Sequence, residues 1–212
     1  MNEERMSTTY EDSLSIILIG DPSVGKTSLM KRYKKTTNCR FIDNTFSENL
    51  LNTLGVELFQ KVVNINGIFY QIKILDTCGQ ERLRALTANY YRNADGIMLL
   101  FDFTQISTFN NFNNLQNWIE SVQEKVQDQL PLVIVGNKTD LIEHQVTTDM
   151  IKNLSKKYEV EIFKTSAKNG DESGKPFIRF AEEIIENKKT RRSIFVMKKE
   201  EEKKRKCCGK SE

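Results

Sequence analysis

The sequence lacks a long apolar run and a secretory leader. No stretch of eighteen consecutive apolar residues occurs in the 212-residue chain, whereas a membrane-spanning helix needs roughly 20. Residues 1–13 (MNEERMSTTYEDS) are polar and acidic, where a signal peptide would be basic and then apolar. We therefore expect a protein of the cytosol or of a membrane surface.

Cysteine and histidine are also scarce. The four cysteines comprise an adjacent pair, Cys207 and Cys208, and two isolated residues, Cys39 and Cys78. This distribution excludes a disulfide framework and a zinc-finger spacing, and it fits a reducing compartment. The one histidine, His144, lies in the polar segment EHQVTT, which we predict to be exposed. No histidine-dependent catalysis is expected.

Positive charge is concentrated near the C-terminus, although the whole chain carries only +3. Residues 188–206 contain ten Lys or Arg and three Glu, a net +7, whereas residues 1–187 carry a net −4. A nucleic-acid-binding protein would carry its positive charge on the folded surface, but a basic run near a chain end suits an anionic lipid surface. We therefore predict a membrane partner and no nucleic acid. A merely solvated, disordered tail is the alternative.

Strand and helix patterns alternate along the chain. Short apolar and β-branched runs at residues 13–19, 96–103 and 130–137 predict buried parallel strands. Residues 56–76 contain two strand-like runs around Asn66-Gly67, a dipeptide that favours a tight hairpin turn. Apolar side chains three and four residues apart predict a helix with one buried stripe, formed by Phe177, Phe180, Ala181, Ile184 and Ile185.

This alternation predicts a doubly wound α/β domain over residues 14–187. Its mostly parallel, six-stranded sheet would contain one antiparallel hairpin and carry helices on both faces. Functional loops are expected at the carboxyl ends of the strands. We predict that residues 1–13 and 188–212 are flexible, because the tail has too little apolar content to fold alone.

Residues 20–27 (GDPSVGKT) match the phosphate-loop pattern G-x-x-x-x-G-K-[ST], between a predicted strand and a predicted helix. Gly20 and Gly25 allow successive backbone N–H groups to turn toward phosphate oxygens, and the helix N-terminus adds positive charge. Lys26 would bridge the β- and γ-phosphates, and Thr27 would offer its hydroxyl to Mg²⁺. The alternative is a plain glycine turn with a surface lysine. The loop alone leaves ATP and GTP equally possible.

Residues 137–140 (NKTD) predict that the base is guanine. They follow a buried strand, so their side chains lie at the edge of the sheet where ligands bind. The Asp140 carboxylate can accept hydrogen bonds from both N1–H and the exocyclic amine of guanine, which adenine cannot offer. Asn137 would join the loops and touch the base, while the stem of Lys138 would cover its face.

Together with residues 76–81 (DTCGQE) and 165–168 (TSAK), these motifs resemble the Ras-superfamily GTPases in order and spacing, over residues 14–187. The resemblance implies a P-loop small GTPase domain that binds GTP, GDP and Mg²⁺ and hydrolyses GTP slowly. It implies Mg²⁺ ligation by Thr27, Thr53 and, through water, Asp76, and orientation of the attacking water by Gln80. The implied nucleotide-binding residues are Ser23, Val24, Gly25, Lys26, Thr27, Ser28, Phe46, Thr53, Gly79, Asn137, Lys138, Asp140, Ser166, Ala167 and Lys168.

The resemblance also implies a switch. Thr53 and the Gly79 N–H would touch the γ-phosphate, so its loss would release both of their loops. Phe46 would pack beside the guanine, and the Ala167 N–H would meet the guanine oxygen. The domain supplies no obvious arginine for the transition state, so a GTPase-activating protein is expected.

Several positions depart from the family pattern. Residues 34–41 (KKTTNCRF) form an extension, which we interpret as a solvated loop, with a partner-selecting surface as the alternative. The other departures are Pro22 close to the γ-phosphate, Leu50 for a tyrosine, Leu75 for a tryptophan and Cys78 for an alanine.

Within the superfamily the chain most resembles the Rab family. Residues 54–58 (LGVEL), 90–96 (YYRNADG) and 101–104 (FDFT), together with Trp118, carry this likeness. The paired Cys207 and Cys208 after a basic run look like a double geranylgeranylation site, with incidental thiols as the alternative.

The Rab resemblance implies a lipid-anchored monomer on the cytoplasmic face of an intracellular membrane, acting in vesicle transport. It also implies an exchange factor, a GTPase-activating protein, a GDP-dissociation inhibitor, a prenylation escort protein and effectors as partners. Two other hypotheses stay open at this point. One is a Ras- or Rap-like signalling GTPase, suggested by LDTCGQE, and the other is a GTP-binding scaffold without turnover.

Overall fold

A computed structural model describes residues 10–36, 56–77, 93–110, 118, 130–170 and 172–208. The strands within these ranges are β1 (Asp12–Ile19), β2 (Val56–Ile65), β3 (Ile68–Thr77), β4 (Gly96–Asp102), β5 (Leu132–Asn137) and β6 (Ile162–Lys164). The helices are α1 (Lys26–Thr36), α2 (Ser107–Asn110), α3 (Thr148–Tyr158) and α4 (Lys175–Cys208).

The six strands form one sheet in the order β2-β3-β1-β4-β5-β6. Only β2 and β3 pair antiparallel, and the other four neighbouring pairs are parallel. The predicted six-stranded, mostly parallel sheet is therefore confirmed. Five strands point the same way, so the loops that follow β1, β3, β4, β5 and β6 leave from the same edge of the sheet.

The hairpin turns where the sequence predicts it. Asn66 and Gly67 have φ angles of 53° and 86°, the left-handed conformations that a tight turn requires. The Gly67 N–H donates to the Asn64 side-chain oxygen at 3.0 Å, which closes the turn.

Alternation along β1 shows how the sheet divides two apolar cores. Leu14, Ile16 and Leu18 belong to one buried cluster, whereas Ile17 and Ile19 belong to the other, because successive side chains of a strand point to opposite faces. The first cluster contains side chains of α1 and α4, and the second contains side chains of α3. Helices therefore cover both faces, as a doubly wound domain requires.

The predicted apolar stripe of α4 lies in the first core. Its five residues are all less than one-tenth exposed. The ring of Phe177 stacks on Tyr33 of α1 with a centroid distance of 4.3 Å and an interplanar angle of 18°, so α1 and α4 contact each other on the same face of the sheet.

Helix α4 continues beyond residue 187, the predicted end of the domain. At that point Lys188 attaches the helix to the sheet: its Nζ lies 3.0 Å from Asp95 Oδ1, and it donates to the Ser13 carbonyl at 3.1 Å. The backbone of residues 188–208 is helical. Flexibility of the predicted tail stays a prediction.

Helix α4 is long enough to cross a bilayer but carries many charged residues. Among the described residues, no helix combines the length and the apolar character that a membrane span requires.

Candidate functional site

The phosphate loop, residues 20–27, connects the end of β1 to the start of α1 and curls around a lysine. Gly20, Ser23 and Gly25 have φ angles of 135°, 63° and 96°. Lys26 is only 5% exposed, and its Nζ donates to the carbonyl oxygens of Gly20 and Asp21 at 2.8 Å each. The loop thus holds a buried ammonium group in the middle of its own curve.

Packing explains the glycines of this loop. A Cβ atom on Gly20 would lie 2.3 Å from the Leu100 carbonyl oxygen of β4. A Cβ atom on Gly25 would lie 2.3 Å from Nδ2 of Asn137. The loop therefore approaches the neighbouring strand ends too closely for any side chain at these two positions.

A buried carboxylate lies beside the loop at the end of β3. Asp76 is fully buried, and its Oδ2 accepts a short hydrogen bond from the Thr27 hydroxyl. Its Oδ1 has no hydrogen-bond partner among the described residues. Burial raises the pKa of Asp76, although the hydrogen bond from Thr27 and the charge of Lys26 oppose the shift.

The buried pair of Asp76 and Thr27 fits a divalent cation. Carboxylate and hydroxyl oxygens are hard ligands of the kind that Mg²⁺ prefers. An oxygen without a partner in a buried carboxylate is costly, and a cation beside it would compensate that cost. The donor set therefore matches the predicted metal, with Thr53 lying outside the described residues.

Asn137, the last residue of β5, joins the phosphate loop to the loop after β6. It is 1% exposed, and its Nδ2 donates to the Val24 carbonyl at 3.0 Å. Its Oδ1 accepts a hydrogen bond from the Ala167 N–H at 3.1 Å. The expected link between the loops is present, while the Ala167 N–H, expected to meet the guanine oxygen, bonds here to Asn137.

Asp140 is held by the same loop. Its Oδ1 accepts a hydrogen bond from the Ser166 hydroxyl at 2.6 Å, and the oxygen of that hydroxyl accepts one from the Asn169 N–H at 3.0 Å. Ser166 is fully buried, whereas Asp140 is partly exposed. The carboxylate therefore has a fixed orientation at the edge of the site.

Lys138 lies between Asn137 and Asp140 and is positioned by a carboxylate at the end of the neighbouring strand, β4. Its φ angle is 66°, and its Nζ lies 2.6 Å from Asp102 Oδ2. The Asp102 side chain is 1% exposed, and its Oδ1 accepts hydrogen bonds from both the N–H and the hydroxyl of Thr104. A buried carboxylate thus fixes the end of the lysine.

Several contacts at the site were not predicted from the sequence, and three of them involve residues outside the predicted set. The Lys138–Asp102 ion pair is one, and it had only a weak signal, an acidic residue at the end of a buried strand. The Trp118 indole N–H, which donates to Asp21 Oδ1 of the phosphate loop at 3.4 Å, is another. The third joins Arg32 of α1 to the carbonyl oxygens of Ala167 and Lys168. No motif or periodicity marks Arg32.

The described residues bring much of the predicted site together at one edge of the sheet. The phosphate loop, Asp76, residues 137–140 and residues 165–168 surround one region. The predicted residues Phe46, Thr53, Gly79 and Gln80 lie outside the described residues, as do Leu50, Cys78 and residues 37–41 of the extension. Cys207 and Cys208 end the backbone of α4, and His144 is exposed as predicted.

Asn137 joins the phosphate loop to residues 165–170, which follow β6 and form the base-side loop. Together with the buried pair of Asp76 and Thr27, these features define a P-loop nucleotide-binding α/β protein. The family model described as the Ras family matches residues 15–186. The Ras-related protein SEC4 of Saccharomyces cerevisiae is 35% identical over 188 residues, which cover 89% of this chain and 82% of the relative.

Other relatives agree. The Ras-related protein RABE1e of Arabidopsis thaliana is 34% identical, with 85% of this chain and 78% of the relative covered. The Ras-related protein Rab-8 of Diplobatis ommata is 34% identical, with 87% and 84% covered. The chain therefore belongs to the Ras family, as a small GTPase of the Rab group, and the predicted resemblance, fold and enzyme class are confirmed.

Proposed function

We propose that this Rab-family GTPase binds GTP and GDP at the described edge of the sheet and controls vesicle traffic by alternating between the two states. The proposal rests on the two hydrogen bonds of the Asn137 side chain, one to Val24 of the phosphate loop and one to Ala167 of the base-side loop. The two halves of one nucleotide site are thereby fixed relative to each other.

On the phosphate side, the proposal rests on Lys26 and the backbone around it. The Lys26 ammonium is already buried inside the loop, where it would contact the β- and γ-phosphates, and residues 23–28 would supply N–H groups. Thr27 and Asp76 would hold Mg²⁺, Asp76 through water. When bound, the ion would neutralise charge on the phosphate oxygens.

On the base side, Asp140 would read guanine. Ser166 donates to one carboxylate oxygen, and this hydrogen bond would orient the carboxylate toward the N1–H and 2-amino edge of the base. The Lys138 stem would lie over the base, with its ammonium held by Asp102. Lys168 and the Ala167 N–H would complete the pocket, and Phe46 would pack beside the guanine.

The switch itself would use residues outside the described ranges. Thr53 and Gly79 would contact the γ-phosphate, and Gln80 would orient the attacking water. Hydrolysis removes the group that both loops touch, so the two nucleotide states would present different surfaces to an exchange factor, a GTPase-activating protein and effectors. Single-turnover release of phosphate from bound GTP tests this enzymatic part.

The C-terminal segment would anchor the protein to an intracellular membrane. Residues 188–206 carry a net charge of +7 and precede Cys207 and Cys208. One lipid chain binds a bilayer only marginally, whereas two chains with a polybasic run hold it stably. A prenylation escort protein would present the unmodified chain for prenylation, and a GDP-dissociation inhibitor would extract the prenylated chain from the membrane.

Replacement of both cysteines should remove the protein from membranes. We expect the tagged wild-type chain to carry two geranylgeranyl groups and to sediment with membranes, and the Cys207→Ser/Cys208→Ser chain to carry none and to be at least about 10-fold depleted from that fraction. Intact mass and fractionation measure both properties. Cys39→Ser is the matched control and should sediment like the wild type. A wild-type chain that incorporates no labelled prenyl donor would refute the anchor.

A further inference from the structure

Arg32 connects α1 to the base-side loop. It lies six residues after Lys26, and its side chain is partly buried. Its Nε donates to the Ala167 carbonyl at 2.8 Å, and its Nη2 donates to the Lys168 carbonyl in a short contact. One planar guanidinium group therefore binds two successive carbonyl oxygens of the loop, a geometry that lysine cannot reproduce.

The backbone of Ala167 is consequently held from two sides. Arg32 binds its carbonyl oxygen, and Asn137 Oδ1 accepts its N–H at 3.1 Å. The loop also passes close to the arginine stem, since a Cβ atom on Gly170 would lie 3.6 Å from Arg32 Cδ. These contacts leave the peptide groups around Ala167 little freedom to rotate.

Helix α1 links this loop to the phosphate side. Lys26 and Thr27 lie in its first turn, and Arg32 lies nearly two turns further along the same 11-residue helix. A helix transmits position rigidly over such a distance. Arg32 thus sets where the base-side loop lies relative to the phosphate loop.

We propose that Arg32 is a positioning residue that determines selectivity for 6-oxopurine nucleotides and the time for which they stay bound. This inference rests on the proposed guanine site. Without the guanidinium group the carbonyl oxygens of Ala167 and Lys168 lose their shared donor, so the loop that carries Ala167 can move relative to α1. The Ala167 N–H, which donates to Asn137 Oδ1 in the structure, would then no longer be held where it can meet the 6-oxo group of a bound base. Ser166, next in the chain, also loosens, and with it the orientation of Asp140.

Release of two nucleotides from the purified full-length chain separates selectivity from general loosening. The nucleotides are GDP and 2-aminopurine riboside diphosphate, which lacks the 6-oxo group of guanine and, with it, the N1–H. The variants are Arg32→Gln, which removes the charge and the planar fork, and Arg32→Lys, which keeps the charge. Arg179→Gln is the matched control, because Arg179 lies on α4 and contacts Glu182 at 3.1 Å.

We expect the wild-type chain to release GDP more slowly than the analogue. Arg32→Gln should release GDP about 10- to 100-fold faster, as expected for the loss of charge-assisted hydrogen bonds, and the analogue less than about 3-fold faster. The rate of GDP release from Arg32→Lys should lie between those of the wild type and Arg32→Gln. Arg179→Gln should release both nucleotides at the wild-type rates.

Two results would overturn the inference. Unchanged GDP release in Arg32→Gln would show that the guanidinium contacts do not control the loop. Equal acceleration for GDP and the analogue would show general loosening without selectivity. Failure of the proposed function looks different, since the wild-type chain itself would then not distinguish GDP from the analogue.

Discussion

Replacing Asp140 with asparagine should change the preferred nucleotide from guanine to xanthine. The carboxylate offers two acceptors to the N1–H and 2-amino donors of guanine, whereas an asparagine amide would place its own N–H donors against them. Xanthine carries an oxygen in place of the 2-amino group and so accepts that amide. The Ser166 hydroxyl, now 2.6 Å from Asp140 Oδ1, can still donate to the asparagine oxygen, so the loop should remain in place.

Dissociation constants for GDP and xanthosine diphosphate measure this change of base preference. We expect the affinity for GDP to fall about 1000-fold or more in Asp140→Asn, since buried polar groups that lose their complement discriminate strongly. The affinity for xanthosine diphosphate should rise correspondingly. Asp149→Asn is the control, because Asp149 is exposed on α3 and makes a long ion pair with Lys152, at 4.0 Å. Unchanged GDP affinity in Asp140→Asn would remove Asp140 as the reader of the base.

A single methyl group on Gly25 should nearly abolish nucleotide binding. The added Cβ would lie 2.3 Å from Asn137 Nδ2, so the asparagine would have to move. Its hydrogen bonds to Val24 and Ala167 would then be lost, and the two halves of the site would separate. The φ angle of 96° at this position adds backbone strain, because residues other than glycine rarely adopt it.

We expect Gly25→Ala to lower the affinity for GDP by at least about 100-fold, since two buried hydrogen bonds of about 1 kcal/mol or more are lost together with the strain. Gly174→Ala is the matched control. A Cβ there would meet only Tyr33 Cδ2 at 3.8 Å, an ordinary contact. Isothermal titration of nucleotide-free protein and thermal unfolding measure the two effects. Wild-type affinity in Gly25→Ala would contradict the role given to Asn137.

The sheet and the phosphate loop were predictable because their signals are local. Buried runs mark the strands, the Asn66-Gly67 dipeptide fixes the hairpin, and residues 20–27 combine a spacing with a strand–helix context. The position of residues 137–140 at the end of a buried strand was also predictable, since Asn137 closes the apolar run of β5. In these cases a short stretch of sequence is enough to predict the local structure.

The positioning contacts were not predictable, because they join distant parts of the chain. Arg32 and Ala167 are 135 residues apart in sequence, and the arginine binds backbone carbonyls, which carry no sequence signature. Asp102 and Lys138 likewise meet only because β4 and β5 are neighbours in the sheet.

A domain boundary was predicted at residue 187, but no bounds were predicted for helix α4. Its apolar stripe ends before residue 187, which suggested the end of the domain. Lys, Arg and Glu are nevertheless good helix formers, and the helix continues through them to Cys208. Apolar periodicity marks where a helix packs and not where its backbone ends.

Single-turnover hydrolysis of bound GTP tests the central claim most directly. Nucleotide-free protein is loaded with GTP, excess nucleotide is removed, Mg²⁺ starts the reaction, and released phosphate is followed. We predict slow release, on the order of 10⁻⁴ per second without an activating protein, and at least about 10-fold slower release for Gln80→Leu. A wild-type chain that releases no phosphate from bound GTP would contradict the account.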